Sequence, residues 1–366
     1  MQNMLVTKAV KSFKCLQDAC SDTCCKGWSM QLDDATFAKY EANNLQNAVA
    51  FDGDVRVMKR DPKTDFCVKF QDGICSIHKN MGNEFLGDAC NFYPRVTRKL
   101  GDEAIMTLTP SCPEALRLML EEGADIYEES ELERLPANLK NWADEKISAG
   151  DALKIHQRFL AECKEQISPE KLVSRVFSVA SSLNYIEKQD WADATNFMFK
   201  MADGKLPTPA TQDIDKYNIL QVFLGVLHAT GKNRSERLQK VLDSLADFLG
   251  ITINYQTLNL EQNFSKPTPA ILPQNDVLKQ YVAAQISFSC FPFAGIGDDL
   301  RQKAQVLIFK FALTKLALKN WQGNAVDCIQ PISRIIDHIA DAELIVKLMN
   351  NFGWNTDARL IGLLEI

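Results

Sequence analysis

From Pro113 onward the apolar positions recur at the three- and four-residue spacing of helices. Pro113 suits a first helical turn, and PEALRLMLEEG then sets Leu116, Met119 and Leu120 on one face. The same period returns over 151–167, 169–187, 189–202, 212–230, 232–249, 275–289, 298–320, 325–340 and 341–352. Breaks fall at Gly150, Ser168-Pro169, Asp203 through Pro209, Gly231, Gly250 and Phe291-Pro292, the residues that interrupt helices. The run VLIFKFALTKLAL (306–318) contains Lys310 and Lys315. It predicts a buried helix, short of the roughly 18 apolar residues that suggest a membrane span. Polar 258–275 reads as a long loop.

Before Pro113 the pattern breaks into short pieces. Asp33 or Asp34 can cap a helix, DDATFAKYEA, with Phe37 and Tyr40 three apart. DVRVMKR (54–60) alternates as a strand and stops at Asp61-Pro62. FCVKFQDGICSIH (66–78) predicts a hairpin about Asp72-Gly73, with Cys67 and Cys75 on opposite arms and His78 exposed at its end. A short helix over 83–93 follows, stopped by Pro94, and then a second hairpin over 95–109 about Gly101-Asp102. The fold class is mostly α: a small irregular α+β cysteine-rich N-terminal module with short hairpins (1–112), followed by a multi-helix α-helical domain (113–366).

At 366 residues, 46% hydrophobic and 24% charged, the composition is that of a globular protein. A net charge of −6 argues against nucleic acid as the main partner, since phosphate binding draws on a basic surface. The N-terminus, MQNMLVTKAVKSFK, lacks the apolar core of a signal peptide. The expectation is a cytoplasmic protein with no membrane partner. The sequence says nothing about its oligomeric state. No G-x-S-x-G, P-loop or H-E-x-x-H occurs, which disfavours hydrolase and nucleotide-phosphate chemistry.

The cysteines change this picture. Eight of the eleven lie within the first 112 residues: Cys15, Cys20, Cys24, Cys25, Cys67, Cys75, Cys90 and Cys112. In a reducing compartment metal binding or redox chemistry outweighs structural disulfides. Thiolates suit zinc, copper(I) and iron–sulfur clusters. No C-x2-C knuckle is present, and eight thiols exceed one tetrahedral zinc site. An iron–sulfur cluster takes up to four thiolates from near and distant positions. Spacing alone leaves a cluster and zinc side by side, with disulfides a distant third.

The stretch C-x4-C-x3-CC-K-G-W, then FCVKFQDGICSIHKNMGNEFLGDACNFYPR and LTPSCPEA, resembles the flagellin lysine N-methylase family, part of a broader set of cysteine-rich iron- or zinc-chelating bacterial proteins. The likeness is dense over residues 5–118 and loose beyond. It implies an enzyme that transfers methyl groups from S-adenosylmethionine to lysines of flagellin. It also implies a four-iron, four-sulfur (4Fe-4S) cluster held by cysteines of the first module, with zinc as the alternative. All eight N-terminal cysteines match; Cys20, Cys24, Cys25 and Cys90 are the preferred ligands because a cluster commonly takes most ligands from one loop. The competing reading is a non-enzymatic zinc- or iron-binding module joined to a helical interaction domain.

A glycine-rich Rossmann loop would be the ordinary cradle for the methyl donor. Only the lone G-x-G at Gly295–Gly297 is present, without a βαβ context. Nor does the C-x3-C-x2-C signature of radical S-adenosylmethionine enzymes occur. The donor then needs another seat, such as an open cluster iron. Arg95 suits its carboxylate, a planar fork for bidentate binding, with an ion pair beside the Cys90 helix as the competing role. Trp28 is read first as packing against the cysteine loop and second as an adenine platform. The lysine must lose a proton before it attacks; Tyr93, Asp88 and the acidic stretch from Glu121 to Glu133 are the candidate acceptors.

Overall fold

The computed structural model describes residues 2–125, 127–132, 135–136, 139–202, 215–230, 235–262, 275–294, 299–339 and 342–366. The N-terminal part runs β1 (Gln2–Thr7), α1 (Lys8–Ser12), α2 (Asp34–Ala42), β2 (Val49–Asp52), β3 (Val55–Met58), β4 (Phe70–Gln71), β5 (Ile74–Cys75), α3 (Ser76–Met81), α4 (Asp88–Phe92), β6 (Arg95–Leu100) and β7 (Glu103–Leu108). There follow α5 (Pro113–Glu122), β8 (Tyr127–Leu132), α6 (Ala149–Glu162), α7 (Pro169–Leu183), α8 (Trp191–Met201), α9 (Asp215–Thr230) and α10 (Glu236–Leu249). A hairpin of β9 (Ile251–Asn254) and β10 (Asn259–Gln262) precedes α11 (Asn275–Ser289), α12 (Leu300–Leu318), α13 (Ala325–Ile336), α14 (Glu343–Asn351) and α15 (Asp357–Gly362).

Each helical segment read from periodicity is present, trimmed by a few residues where the chain meets its caps. Ser148, Ser168, Ser235 and Asn324 accept from first-turn amides of α6, α7, α10 and α13, supplying the partners that open helix ends lack. The polar stretch from 258 opens with β10 rather than a loop; residues 263–274 lie outside the described set. Helix α12 is buried nearly throughout. Its lysines are all engaged: Lys303 Nζ donates to Pro292 O at 2.9 Å and Phe293 O at 2.8 Å, Lys310 meets Asp337 at 2.6 Å, and Lys315 meets Glu170 at 2.8 Å. Buried charge is tolerated here because every ammonium finds acceptors.

The N-terminal part is built as expected in outline. Asp33 caps α2 by accepting from Thr36 N at 2.9 Å, and β6 and β7 form the second hairpin, turning at Gly101 with φ +63°. The first hairpin is shorter than the pattern suggested. Its strands hold two residues each about Asp72 and Gly73, at φ +50° and +80°. Residues 76–81, read as part of its second arm, form α3 instead. The short helix over 83–93 is split: a single 3-10 turn (Asn83–Phe85) precedes α4. At the break stands Gly87, where a Cβ would meet Leu32 Cδ1 at 2.9 Å; the backbone passes too close to Leu32 for a side chain.

The sheet has the order β6-β7-β1-β8. β1 runs parallel to β7, with Leu5 opposite Ile105, and antiparallel to β8, with Leu5 opposite Glu129. Alternation along β7 serves two cores. Ile105 joins the large helical core, while Met106 and Leu108 join a second core with Met4, Val6, Phe13 and Met119. A third, small core of Leu32, Tyr40, Ala48, Met58, Ile77 and Leu86 lies under the cysteine-bearing loops.

Candidate functional site

All eight N-terminal cysteines line one cavity of about 320 Å³. Each arrives on a different piece of local structure. Cys15 follows α1, Cys20 ends the 3-10 turn Gln17–Ala19, and Cys24 and Cys25 sit in the loop after it. Cys67 precedes β4, Cys75 ends β5, Cys90 is in α4, and Cys112 caps α5. Phe13, Met30, Met58 and Leu86 form the apolar wall between them. Among the described residues no three His, Cys, Asp or Glu side chains converge tightly enough to hold a single metal ion; the thiols ring a volume instead.

Desolvation raises the thiols of Cys20, Cys75 and Cys90, and pushes Cys67 up to about 11 and Cys112 up to about 12. Burial disfavours thiolates that have no counter-charge. Cys25 is the exception. The Cys24 thiol donates to its sulfur, which brings Cys25 down to about 7 and drives Cys24 up. All the cysteines are free thiols. A cavity walled by soft donors whose anionic form lacks a partner has the chemistry of a site for a thiophilic cation or cluster, so the residues present fit such a group.

Arg95 and Tyr93 line the same cavity. Arg95 is half-buried, its guanidinium 5.0 Å from the centre of the Phe13 ring, and desolvation lowers its pKa. Among the described residues it forms no ion pair, so the salt bridge expected beside the Cys90 helix is not made there. Burial drives the Tyr93 phenol well above its ordinary range, which keeps its proton on at neutral pH. Its hydroxyl lies 3.3 Å from Ser111 Oγ, and Ser111 Oγ lies 2.8 Å from His338 Nε2. His78, expected at an exposed hairpin end, is on α3 and lines the cavity.

The other candidates stand elsewhere. Trp28 packs edge-on against Tyr93 at 4.9 Å between ring centres, 4.6 Å from His338 and 4.9 Å from the Arg334 guanidinium. It seals the join between cysteine loop and helices, its first expected role. Asp88 opens α4, and its backbone N donates to Asp33 Oδ2 at 3.0 Å; it does not line the cavity. In the acidic stretch, Glu121 pairs with Arg117, Glu122 accepts from Ser12 Oγ at 2.6 Å, Asp125 pairs with Lys164 at 3.0 Å and Glu128 with Lys11 at 2.6 Å. These carboxylates staple α1, α5, β8 and the end of α6, away from the thiols. Glu133 and Gly295–Gly297 lie outside the described residues.

Residues that no local pattern marked hold the cysteine loop in place. Asp22 Oδ1 meets Arg334 Nη1 at 2.5 Å, with both side chains largely buried. Arg334 Nη2 donates to Thr23 O at 3.2 Å and Lys26 O at 2.5 Å. Gln330 Nε2 donates to Asp22 Oδ2 at 2.8 Å and to Ser111 O at 2.7 Å. From α10, Arg237 reaches both Ser21 Oγ and Asp327. The helical part therefore grips the loop that carries Cys20, Cys24 and Cys25.

Over 139 residues the chain is 29% identical to the flagellar biosynthetic protein FliU of Salmonella muenchen, covering 33% of this chain and 79% of that protein. It is 28% identical over 139 residues to the lysine-N-methylases of Salmonella typhimurium and Salmonella choleraesuis, covering 33% of this chain and 33% of each of them. The match thus spans about a third of the methylases' length. No family model matches the chain, and no solved structure matches it significantly. Over that third of its length the chain is a relative of the flagellin lysine N-methylase family, as its cysteine blocks implied.

Proposed function

We propose that this chain is a protein-lysine N-methyltransferase that moves methyl groups from S-adenosylmethionine to flagellin lysines, with an iron–sulfur cluster seated among the N-terminal thiols. The observation that carries the reading is the single cavity on which eight thiols, Arg95 and Tyr93 converge. The similarity to lysine-N-methylases supports the reaction class. A cluster bound there supplies a Lewis-acidic iron.

The chain's own residues supply the rest. Arg95, half-buried and without an ion-pair partner among the described residues, binds the donor's carboxylate through its two-pronged fork; low water access strengthens that charge-assisted contact. The apolar wall of Phe13, Met30, Met58 and Leu86 lowers the pKa of an entering lysine by desolvation. Tyr93, protonated at rest, is the first member of a hydrogen-bonded line to Ser111 and His338. As Tyr93 Oη takes the amine proton, its own passes to Ser111 Oγ, and the Ser111 proton passes to His338 Nε2. The amine reaches the methyl group neutral, the state nucleophilic attack requires.

Anaerobic purification with iron, sulfide and zinc analysis, followed by titration with S-adenosylmethionine, tests this. The expected result is a brown protein whose visible spectrum shifts on titration. A colourless protein holding zinc and showing no affinity for S-adenosylmethionine would instead support a metal-binding module joined to a helical interaction domain.

A further inference from the structure

The eight thiols do not form one even ring. Cys67, Cys75 and Cys90 pack against the small core of Leu32, Tyr40, Ile77 and Leu86. Cys112 belongs to the core of Phe13, Leu108 and Met119, against which Tyr93 rests. Backbone bonds extend both groups. Cys25 O accepts from Cys67 N at 2.7 Å, and Cys67 O accepts from Phe70 N at 2.9 Å, while Phe70 pairs with Cys75 across the β4–β5 hairpin. That ties Cys25 to the first group. On the other side, Gln330 joins Asp22 to Ser111, the residue before Cys112, and the Cys20 thiol donates to Asp22 O at 3.5 Å. That ties Cys20 to the second.

Mutual electrostatic influence divides the thiols the same way. Cys90 feels Cys67, Cys25 and Cys75; Cys67 feels Cys25 and Cys75; Cys75 feels Cys25. Cys112 feels Cys20 and Cys15, and Cys20 feels Cys15. Cys24 feels Cys25, Cys90 and Cys15, so it stands at the seam.

We propose that the cavity holds two thiophilic metal centres, one on Cys25, Cys67, Cys75 and Cys90 and one on Cys15, Cys20 and Cys112 with Cys24. Four thiolates are the complement of a cubane cluster or of a tetrahedral zinc. The adjacency of Cys24 and Cys25 follows, since one short loop then feeds both sets. The first centre is enclosed by the small core and staples loops that have little regular structure. The second faces the reactive side: Cys15 is exposed, and Arg95 and Tyr93 stand next to its ligands. This assignment rests on the reading that the cavity binds a metal group.

The test uses the full chain, purified anaerobically, with iron, sulfide and zinc counted per chain. Two double variants, Cys67→Ala/Cys75→Ala and Cys20→Ala/Cys112→Ala, are each expected to keep half the wild-type metal, with spectra that sum to that of the wild type. A wild-type protein carrying a single centre, or a folded variant of either kind stripped of all metal, overturns the proposal. Stepwise chelation of the wild type, with the freed thiols mapped by alkylation and mass spectrometry, covers the case of a variant that does not fold. The two cysteine sets are expected to become reactive in separate steps, and simultaneous release of all eight overturns the assignment. Two centres without affinity for S-adenosylmethionine would uphold this division while removing the methylase reading; one centre with that affinity would do the reverse.

Discussion

Cysteine is used in two different ways in this molecule. Cys163, Cys290 and Cys328 lie in the large helical core among leucines and phenylalanines, where each behaves as a small apolar side chain. The eight N-terminal cysteines border a cavity, and their neighbours are loops and two-residue strands. The helical part is held by continuous apolar burial, with its buried lysines paired one by one. The cysteine-bearing part has two small cores and borrows rigidity from α13 through Asp22, Arg334 and Gln330. A region with so little core of its own has most to gain from whatever its thiols bind.

Metal removal should therefore break the comparison most visibly. Chelation is expected to open new protease sites within residues 13–92 while α6 to α8 stay uncut, read by limited proteolysis with mass mapping. Uniform cutting across both regions would show that the thiols do not support local order. Next in size is the clamp. Asp22→Ala leaves Arg334 buried and unpaired and is expected to cost about 3–5 kcal/mol in urea unfolding; a cost within measurement error would detach the loop from α13.

The helical part has its own pH sensitivity. His156 is fully buried; its Nδ1 donates to Phe291 O at 2.8 Å and its Nε2 accepts from Tyr127 Oη at 3.0 Å. Desolvation lowers it from 6.5 to about 4. The unfolded chain thus binds a proton below about 6.5 and the folded chain only below about 4, so stability falls as pH drops through that window, by roughly 3 kcal/mol in all. His156→Gln should flatten that slope, measured as urea midpoint against pH. Arg95→Gln is expected to weaken S-adenosylmethionine binding about 10–100-fold, the worth of one charged hydrogen-bonded contact, with metal content unchanged. Smallest is Cys328→Ala, costing about 1 kcal/mol for the lost apolar volume and leaving metal content as in the wild type. A loss of metal there would erase the distinction between the two kinds of cysteine.

Legibility in the sequence followed the range of the interactions. Helices such as α7 and α12 announce themselves by local period and caps, and the β6–β7 hairpin by its Gly101-Asp102 turn. β1 and β8 do not, because their pairing depends on partners about 100 residues or more away: Leu5 with Ile105 and with Glu129. Helix α3 hid in a stretch whose β-branched residues suited a strand. At the site, the density of cysteines pointed to metal chemistry, and Arg95 and Tyr93 were found through the motif around Cys90. The Ser111–His338 contact and the Asp22–Arg334 pair join residues 227 and 312 positions apart, and no local spacing encodes them. The same holds for the split of Cys24 from Cys25, which needs the two cores to be seen.

The central claim is methyl transfer, and one assay bears on it directly. Anaerobically purified protein with its full metal complement is incubated with flagellin and methyl-labelled S-adenosylmethionine, and the flagellin lysines are read by mass spectrometry. The account predicts labelled methyl-lysine with the native protein and none after its metal is removed. Unlabelled flagellin in the presence of the metal-replete protein would contradict it.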